Sequence, residues 1–253
     1  MSNNAIANER VIVFGASGFL GSHVADALSS AGYQVRLFDR SASPHLKPDQ
    51  EMIIGDIMNL DQVIEAARDC SVVYNFAAIA DIDEAHNKPI PTATINVLGN
   101  MHVLEAARIA GARRFVFASS VYVYSESGSF YRASKQAAER FTETYHERYG
   151  LDYNILRYGS LYGRRADKRN GIYRMLFEAV KNHSITYKGS GEAMREYIHV
   201  EDAARMSVQV LAPEFANRHL ILTGQEKMRI KDVMTMISEI LPWSVELHFD
   251  EAN

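Results

Sequence analysis

"RVIVFGASGFLGSHVADALSSAG" (10–32) reads as three pieces in succession. "RVIVF" is an apolar, β-branched run of the kind found in strands buried on both faces. Gly15, Gly18 and Gly21 interrupt it, and the residues from Phe19 onward read as a helix stopped by Gly32. Glycines at such a junction allow a tight turn, close approach of backbone to a pyrophosphate, and close packing of helix on strand. The N–H groups of the first helical turn then face the anion. The spacing is G-x-x-G-x-x-G, one residue longer at its front than the usual G-x-G-x-x-G fingerprint. In this strand–turn–helix setting it points to dinucleotide binding, with Gly15, Ser17, Gly18, Phe19 and Leu20 as contacts. The alternative is a purely structural glycine turn.

The same alternation continues outward from this stretch. "YQVRLFDR", "EMIIGD", "SVVYNFAA", "RRFVFASS" and "LDYNILRYG" read as further strands, separated by helical stretches that include "TATINVLGNMHVLEAARIAGA" and "YRASKQAAERFTETYHERYG". Strands separated by helices imply βαβ units, hence an α/β, Rossmann-type doubly wound parallel sheet. After residue 158 the rhythm breaks into an Arg-rich loop, short strands and helices. This predicts a smaller C-terminal α/β lobe over 159–253, with the 196–212 segment returning to the first domain (1–158). The strand "HLILTG" is expected in the smaller lobe, and the Met-containing helix near 230–241 is expected to be core.

Composition narrows the function class. The chain has 253 residues, 47% hydrophobic and 23% charged, which suits a globular protein with a substantial core. A net charge of −4 gives no electrostatic reason to expect nucleic acid or an anionic membrane. Cys70 is the only cysteine, so no internal disulfide forms, which fits the cytoplasm. The polar start "MSNNAIANER" lacks a signal core, and no apolar run is long enough to span a bilayer. The histidines show no ligand spacing, so no metal site is expected, and His199 is read as structural or capping.

Carboxylates mark the rest of the cofactor end. Asp39 ends the second strand about 20 residues after the glycine turn, where it would accept hydrogen bonds from a ribose. A carboxylate there repels a 2′-phosphate and favours NAD over NADP. Arg40 beside it argues the other way. Asp56, with Ile57 following, lies past the third strand and would reach the adenine edge, unless it caps the next helix.

Of thirteen tyrosines, Tyr131 alone has a lysine four residues later, Lys135. One such pair is near chance, since lysine occupies roughly one position in fifteen. On a helix the two share a face. For a phenol of ordinary pKa near 10 to act as a base near neutrality, its pKa must fall by about three pH units, roughly 4 kcal/mol of preference for the anion. A neighbouring ammonium and a cationic nicotinamide would favour that anion. Tyr131 would then take a proton from a sugar hydroxyl as hydride leaves the same carbon, with Lys135 also holding the nicotinamide ribose. Ser119 and Ser120, at the end of the fifth strand and on opposite faces, both qualify as the hydroxyl that orients the substrate.

"GASGFLG", "GD" (55–56), "NFAA" (75–78), Asn96 in "INVLG", "SS" (119–120) and "YRASK" (131–135) follow one another in the order of the extended short-chain dehydrogenase/reductases, and the chain resembles their NAD-dependent epimerase/dehydratase group. The resemblance spans nearly the whole chain. It implies cofactor contacts from Ala77, Ala78, Asn96 and Ser119. Counting back four residues from the Tyr of "VYS" (123–125) makes Ser120 the catalytic hydroxyl, with Ser119 as its backup. It implies a nucleoside-diphosphate sugar as substrate, held by Ser120, by Tyr158 and Ser160 in "LRYGSLYG" and by Arg195 in "REYIHVEDAA". Read on its own, Arg195 is an exposed residue paired with Glu192 or Glu196, and the basic run Arg164–Arg169 is a solvated loop. The long helices near 92–110 and 131–149 imply a homodimer, and relatives generally continue beyond "VELHFDEAN" to complete the substrate lobe.

Two departures matter. The link from "VYS" to "YRASK" is short, and Val121 and Tyr122 stand where the dehydratases carry an acidic pair. The expectation is therefore a nucleotide-sugar epimerase working through a transient 4-keto sugar. A 4,6-dehydratase or 4-ketosugar reductase is the nearest alternative, and a non-catalytic NAD(P)-binding regulator is the alternative of another class.

Overall fold

The computed structural model describes residues 9–250. Two compact units emerge: one from the chain up to Tyr158 together with Ala204–Ile221, the other from Gly159–Ala203 together with residues from Leu222 onward.

In the first unit, β1 (Arg10–Phe14) lies inside a seven-stranded sheet. It pairs in parallel with β2 (Gln34–Asp39) on one side and β4 (Val72–Asn75) on the other. β3 (Gln50–Ile54) continues beyond β2, and β5 (Arg114–Ser120) and β6 (Tyr153–Tyr158) continue beyond β4, all parallel. The strand order reverses between β1 and β4, which opens a crevice at the carboxyl ends of the strands where ligands of such folds bind. All seven residues of β5 are buried, as expected of a strand covered on both faces.

The seventh strand, β10 (Arg218–Leu222), lies beside β6. This corrects the placement of "HLILTG" in the smaller lobe. The Asn217 side chain and backbone fix it there: Oδ1 accepts from Tyr153 N at 2.9 Å, while the backbone N–H donates to Tyr153 O at 2.8 Å.

Helix α1 (Phe19–Ser30) follows the glycine turn, and Gly32 with φ of +93° ends that stretch, as read from the sequence. Helix α2 (Leu60–Ala67) is capped by Asn59. After α3 (Ile82–Asn87) and α4 (Pro89–Ala93), the helix expected to run unbroken widens into a π turn over Thr94–Gly99, then resumes as α5 (Asn100–Ile109). Helix α6 (Ser129–Tyr149) starts after Gly128 and ends at Gly150, both with positive φ. Its buried residues are Tyr131, Ser134, Lys135, Ala138, Glu139 and Thr142, a stripe at helical spacing. Helices α2, α5 and α6 cover one face of the sheet through Val63, Ala66, Val103, Leu104 and Ala138. Elsewhere in the unit the Tyr74 hydroxyl donates to Ser207 O at 2.7 Å.

In the second unit, β7 (Ser160–Tyr162) runs parallel to β9 (Met194–His199), which pairs antiparallel with β11 (Lys227–Arg229). β8 (Ser184–Lys188) pairs in parallel with β12 (Glu246–Asp250). Helices α7 (Gly171–Asn182) and α9 (Ile230–Ile240) enclose Ala179, Ile185, Val233, Met234 and Ile237, so the Met-containing helix is core. Helix α8 (Val200–Gln209) begins in this unit and ends in the first. His199 accepts Glu201 N at 3.4 Å, a capping contact.

Candidate active site

The glycine turn is shaped by contacts that only glycine tolerates. Gly15 has φ of +78°, and a Cβ there would lie 2.5 Å from Ala77 N and 2.6 Å from Phe76 C. A Cβ on Gly21 would lie 2.3 Å from Gly15 O, so strand and helix meet backbone to backbone. Gly18, the residue before α1, would bring a Cβ no closer than 3.2 Å to Gly15 O. No side chain caps α1, and its first turn carries no acid. The N–H groups of this turn, at Phe19 and Leu20, are thus offered without a side-chain acceptor, in a positive dipole field that suits a pyrophosphate.

Asp39 ends β2 beside this turn. Its Oδ2 accepts Ser17 N at 3.0 Å and its Oδ1 accepts Arg40 N at 2.7 Å, leaving lone pairs on both oxygens for ribose hydroxyls. Ser17 itself is committed to the protein: Asp39 takes its N–H, and its hydroxyl donates to Ser41 O at 2.8 Å. Ser17 thus ties the glycine turn to the Asp39 carboxylate. Arg40 is exposed. Asp56 is not the helix cap. That role belongs to Asn59, whose Oδ1 accepts Gln62 N at 3.2 Å, while Asp56 Oδ1 accepts Met58 N at 2.9 Å. Ile57 is buried, and its carbonyl bonds His102 Nδ1 at 2.8 Å. Ala77 donates its N–H to Asn75 Oδ1 at 3.1 Å, and both Ala77 and Ala78 are half-buried.

Asn96, expected at the cofactor, is 2% exposed with both side-chain polar atoms engaged. Its Oδ1 accepts Ile79 N at 2.8 Å, and its Nδ2 donates to Ile79 O at 3.0 Å and to Ser134 Oγ at 2.9 Å. The π turn carries it there, and these bonds tie the loop after β4 to α6.

At the carboxyl end of β5 three groups converge. Ser120 lies near enough to the Tyr131 phenol to oppose the rise that burial imposes on it. It also accepts Tyr122 N at 3.2 Å, so it caps the short turn Val121–Tyr124 as well. Lys135 Nζ donates to Ala118 O at 2.7 Å and sits 4.9 Å over the Phe117 ring. Ser119 points to the opposite face, as alternation requires, and its hydroxyl donates to Glu139 Oε1.

Burial pushes the Tyr131 phenol up to about 12, against the opposing effect of Ser120, with Tyr122 raising it further. Lys135 Nζ lies 5.8 Å from the centre of the Tyr131 ring, and burial pulls Lys135 itself down to about 8, against the raising effect of Glu139.

The NAD dependent epimerase/dehydratase family model matches residues 11–221. The chain belongs to that family. A candidate UDP-glucose 4-epimerase of Methanocaldococcus jannaschii is 31% identical over 79% of this chain and 73% of its own. The UDP-glucuronic acid 4-epimerase of Bacillus cereus, solved with UDP-glucuronic acid and NAD, is 25% identical with a TM-score of 0.88, covering 96% of this chain and 86% of its own. The UDP-glucose 4-epimerase of Thermotoga maritima, solved with UDP-glucose, shares the fold at a TM-score of 0.90 and 23% identity, with 96% and 86% covered.

The family's cofactor fits the residues present. The glycine turn with its uncapped helix start suits the pyrophosphate, and Asp39 suits an adenosine ribose with free 2′-hydroxyl. Tyr158 is 4% exposed, and its hydroxyl bonds Ser207 Oγ at 2.6 Å. Ser160 and Arg195 are in the second unit, on β7 and β9, where Arg195 donates to Met194 O at 2.9 Å. Glu196 pairs with Lys227 at 3.0 Å, and Glu192 pairs with Lys231 and Arg229. Arg164 of the basic run pairs with Glu201 at 2.8 Å. Among the described residues no cluster of acids, histidines and cysteine could hold a metal ion, and no helix is long and apolar enough to cross a membrane.

One site residue escaped the sequence reading. Glu139 carries a buried carboxylate one turn after Lys135. The i+4 spacing that linked Tyr131 to Lys135 extends to it, and that was the available signal.

Proposed function

We propose that the chain is an NAD-dependent UDP-sugar 4-epimerase, an isomerase. The observation that carries this reading is the placement of Tyr131 and Lys135, both buried on one face of α6, against the carboxyl end of β5 that carries Ser120. Tyr131 removes the proton of the C4 hydroxyl, and Ser120 orients that oxygen. NAD held there would supply the acceptor and donor of the C4 hydride, and its positive ring would favour the phenolate against the high pKa that burial imposes on Tyr131. Lys135 directs its remaining protons toward the nicotinamide ribose. Asp39, the turn at Gly15–Leu20 and the backbone near Asp56–Ile57 and Ala77–Ala78 hold the dinucleotide. Arg195 binds the pyrophosphate of the sugar nucleotide as a guanidinium fork, with Ser160 as a further contact.

The missing acids at Val121 and Tyr122 disfavour dehydration, which needs a base and an acid at C5 and C6. We also assign a homodimer joined through α5 and α6, where Ile109, Phe141 and Tyr149 are exposed, and a place in the cytoplasm. The test is incubation with NAD and UDP-glucose, UDP-galactose, UDP-glucuronate or UDP-N-acetylglucosamine in deuterated water, read by proton NMR. Interconversion of C4 epimers without deuterium at C5 or C6 is expected. Deuterium incorporation there, or stoichiometric consumption of reduced cofactor, would refute the assignment.

A further inference from the structure

The two departures in the sequence, the short link before Tyr131 and the tyrosine at 122, meet in the structure. The chain turns after β5 over Val121–Tyr124, and the two tyrosines of that turn diverge. Tyr124 lays its ring against Arg157, 4.7 Å from the guanidinium carbon. Tyr122 turns to the proposed catalytic pair. Its N–H donates to Ser120 Oγ at 3.2 Å. Its ring meets the Tyr131 ring edge to face, with centroids 6.3 Å apart and planes at 79°. The short link is built around that ring. Gly128 is buried at φ of +102°, and a Cβ there would lie 3.1 Å from Tyr122 Cδ1 and 3.2 Å from Arg132 Cβ. Tyr122 itself stays half-buried. Through backbone and ring it touches both residues that address the reacting hydroxyl, and the link backs it from behind.

A side chain placed there meets the substituents beside C4, because Tyr131 and Ser120 both address the C4 oxygen. On one side C3 carries a hydroxyl, and on the other C5 carries the exocyclic C6 group. We propose that Tyr122 is a specificity-determining residue, its ring walling the sugar subsite on the C5–C6 side and selecting UDP-hexoses with a neutral C6 over UDP-hexuronates. An aromatic ring fits the C5–C6 edge, which carries C–H groups at both carbons in a hexose, better than the C3 edge, whose hydroxyl needs a partner. The phenol at its tip can hydrogen-bond a C6 hydroxyl. A C6 carboxylate set against the same ring would lose water without gaining a cation. The two cations that flank Tyr131 on α6 donate to main-chain oxygens: Arg132 Nη1 to Ser125 O at 2.5 Å, and Lys135 Nζ to Ala118 O at 2.7 Å. The inference deepens the proposed function and rests on it for the position of C4.

The test compares UDP-glucose with UDP-glucuronate, which differ only at C6, by kcat/KM and by calorimetric Kd in the presence of NAD. Wild type should favour UDP-glucose by about tenfold or more. Tyr122→Ser, which deletes the ring, should cut that preference by about tenfold or more, and Tyr122→Phe should keep most of it. A merely structural role would weaken both substrates together and leave their ratio where it was. Wild type that handles UDP-glucuronate as well as UDP-glucose, or better, overturns the proposal. So does a Tyr122→Ser protein that is folded by circular dichroism and keeps the wild-type ratio. A chain that prefers to bind UDP-glucose, loses that preference in Tyr122→Ser and epimerises neither sugar upholds the wall and refutes the reaction. Binding of neither sugar nucleotide overturns both.

Discussion

Three glycine substitutions separate backbone strain from steric collision in the turn, and Gly15→Ala combines both. At φ of +78° an alanine pays about 1–2 kcal/mol for the left-handed conformation. Its Cβ would also sit 2.5 Å from Ala77 N, 2.6 Å from Phe76 C and 2.8 Å from Ala77 Cα, all backbone atoms. That backbone cannot easily yield, because Phe76 N is bonded to Phe14 O at 2.8 Å and Ala77 N to Asn75 Oδ1 at 3.1 Å. Overpacking against such a wall costs about 1–3 kcal/mol, so the total is about 2–5 kcal/mol. Gly32→Ala is the control for strain alone: φ is +93° but nothing lies within 4 Å, so about 1–2 kcal/mol is expected. Gly21→Ala is the control for collision alone, its Cβ 2.3 Å from Gly15 O, partly offset by alanine's gain of about 1 kcal/mol in a helix. Urea unfolding measures the stabilities, and calorimetric titration measures NAD affinity. Gly15→Ala should weaken NAD binding by about tenfold or more, since each factor of ten needs only about 1.4 kcal/mol of displaced turn, while Gly32→Ala should leave it unchanged. A Gly15→Ala protein no less stable than Gly32→Ala, with unaltered affinity, would refute the argument from contact.

Tyr131→Phe should lower kcat by about 10²–10⁴-fold while NAD still binds; retained turnover would remove the phenol from the mechanism. The same variant carries a stability signature. The folded phenol titrates near 12 and the unfolded one near 10, so its contribution is full below pH 10 and is lost as pH rises toward 12. Wild type should therefore lose up to about 2–3 kcal/mol relative to Tyr131→Phe between those limits, measured by urea unfolding at stepped pH. Asn96→Ala leaves Ile79 N and Ile79 O without their side-chain partner and should cost about 1–3 kcal/mol in the same assay; a loss confined to NAD affinity would contradict this structural role. Arg195→Ala should raise KM for the UDP-sugar far more than it changes kcat, and a fall in kcat alone would contradict a pyrophosphate role.

Most of the sheet was legible because its signals are local. Apolar runs without alternation mark β1 and β5 as buried parallel strands, and Gly15, Gly32 and Gly150 mark where the chain turns or stops. The strand at Arg218–Leu222 was misplaced because its neighbour in space, β6, is some sixty residues away in sequence, and only the Asn217 contacts to Tyr153 reveal the pairing. Asn96 and Tyr158 sit in recognisable motifs, yet motif membership does not say which way a side chain points. In both cases the polar atoms turn inward, to Ile79 and Ser134 and to Ser207.

The amino-acid order alone determined the dinucleotide fold, the family and the Tyr131–Lys135–Ser120 group, since each depends on residue type at short spacing. The ionisation of that group was decided by tertiary structure. From sequence the lysine and a cationic nicotinamide together were expected to favour the phenolate. In the folded chain burial raises Tyr131, lowers Lys135 and brings in Glu139 with Arg157, because the free energy of a charge depends on everything packed around it and not on its neighbour along one helix.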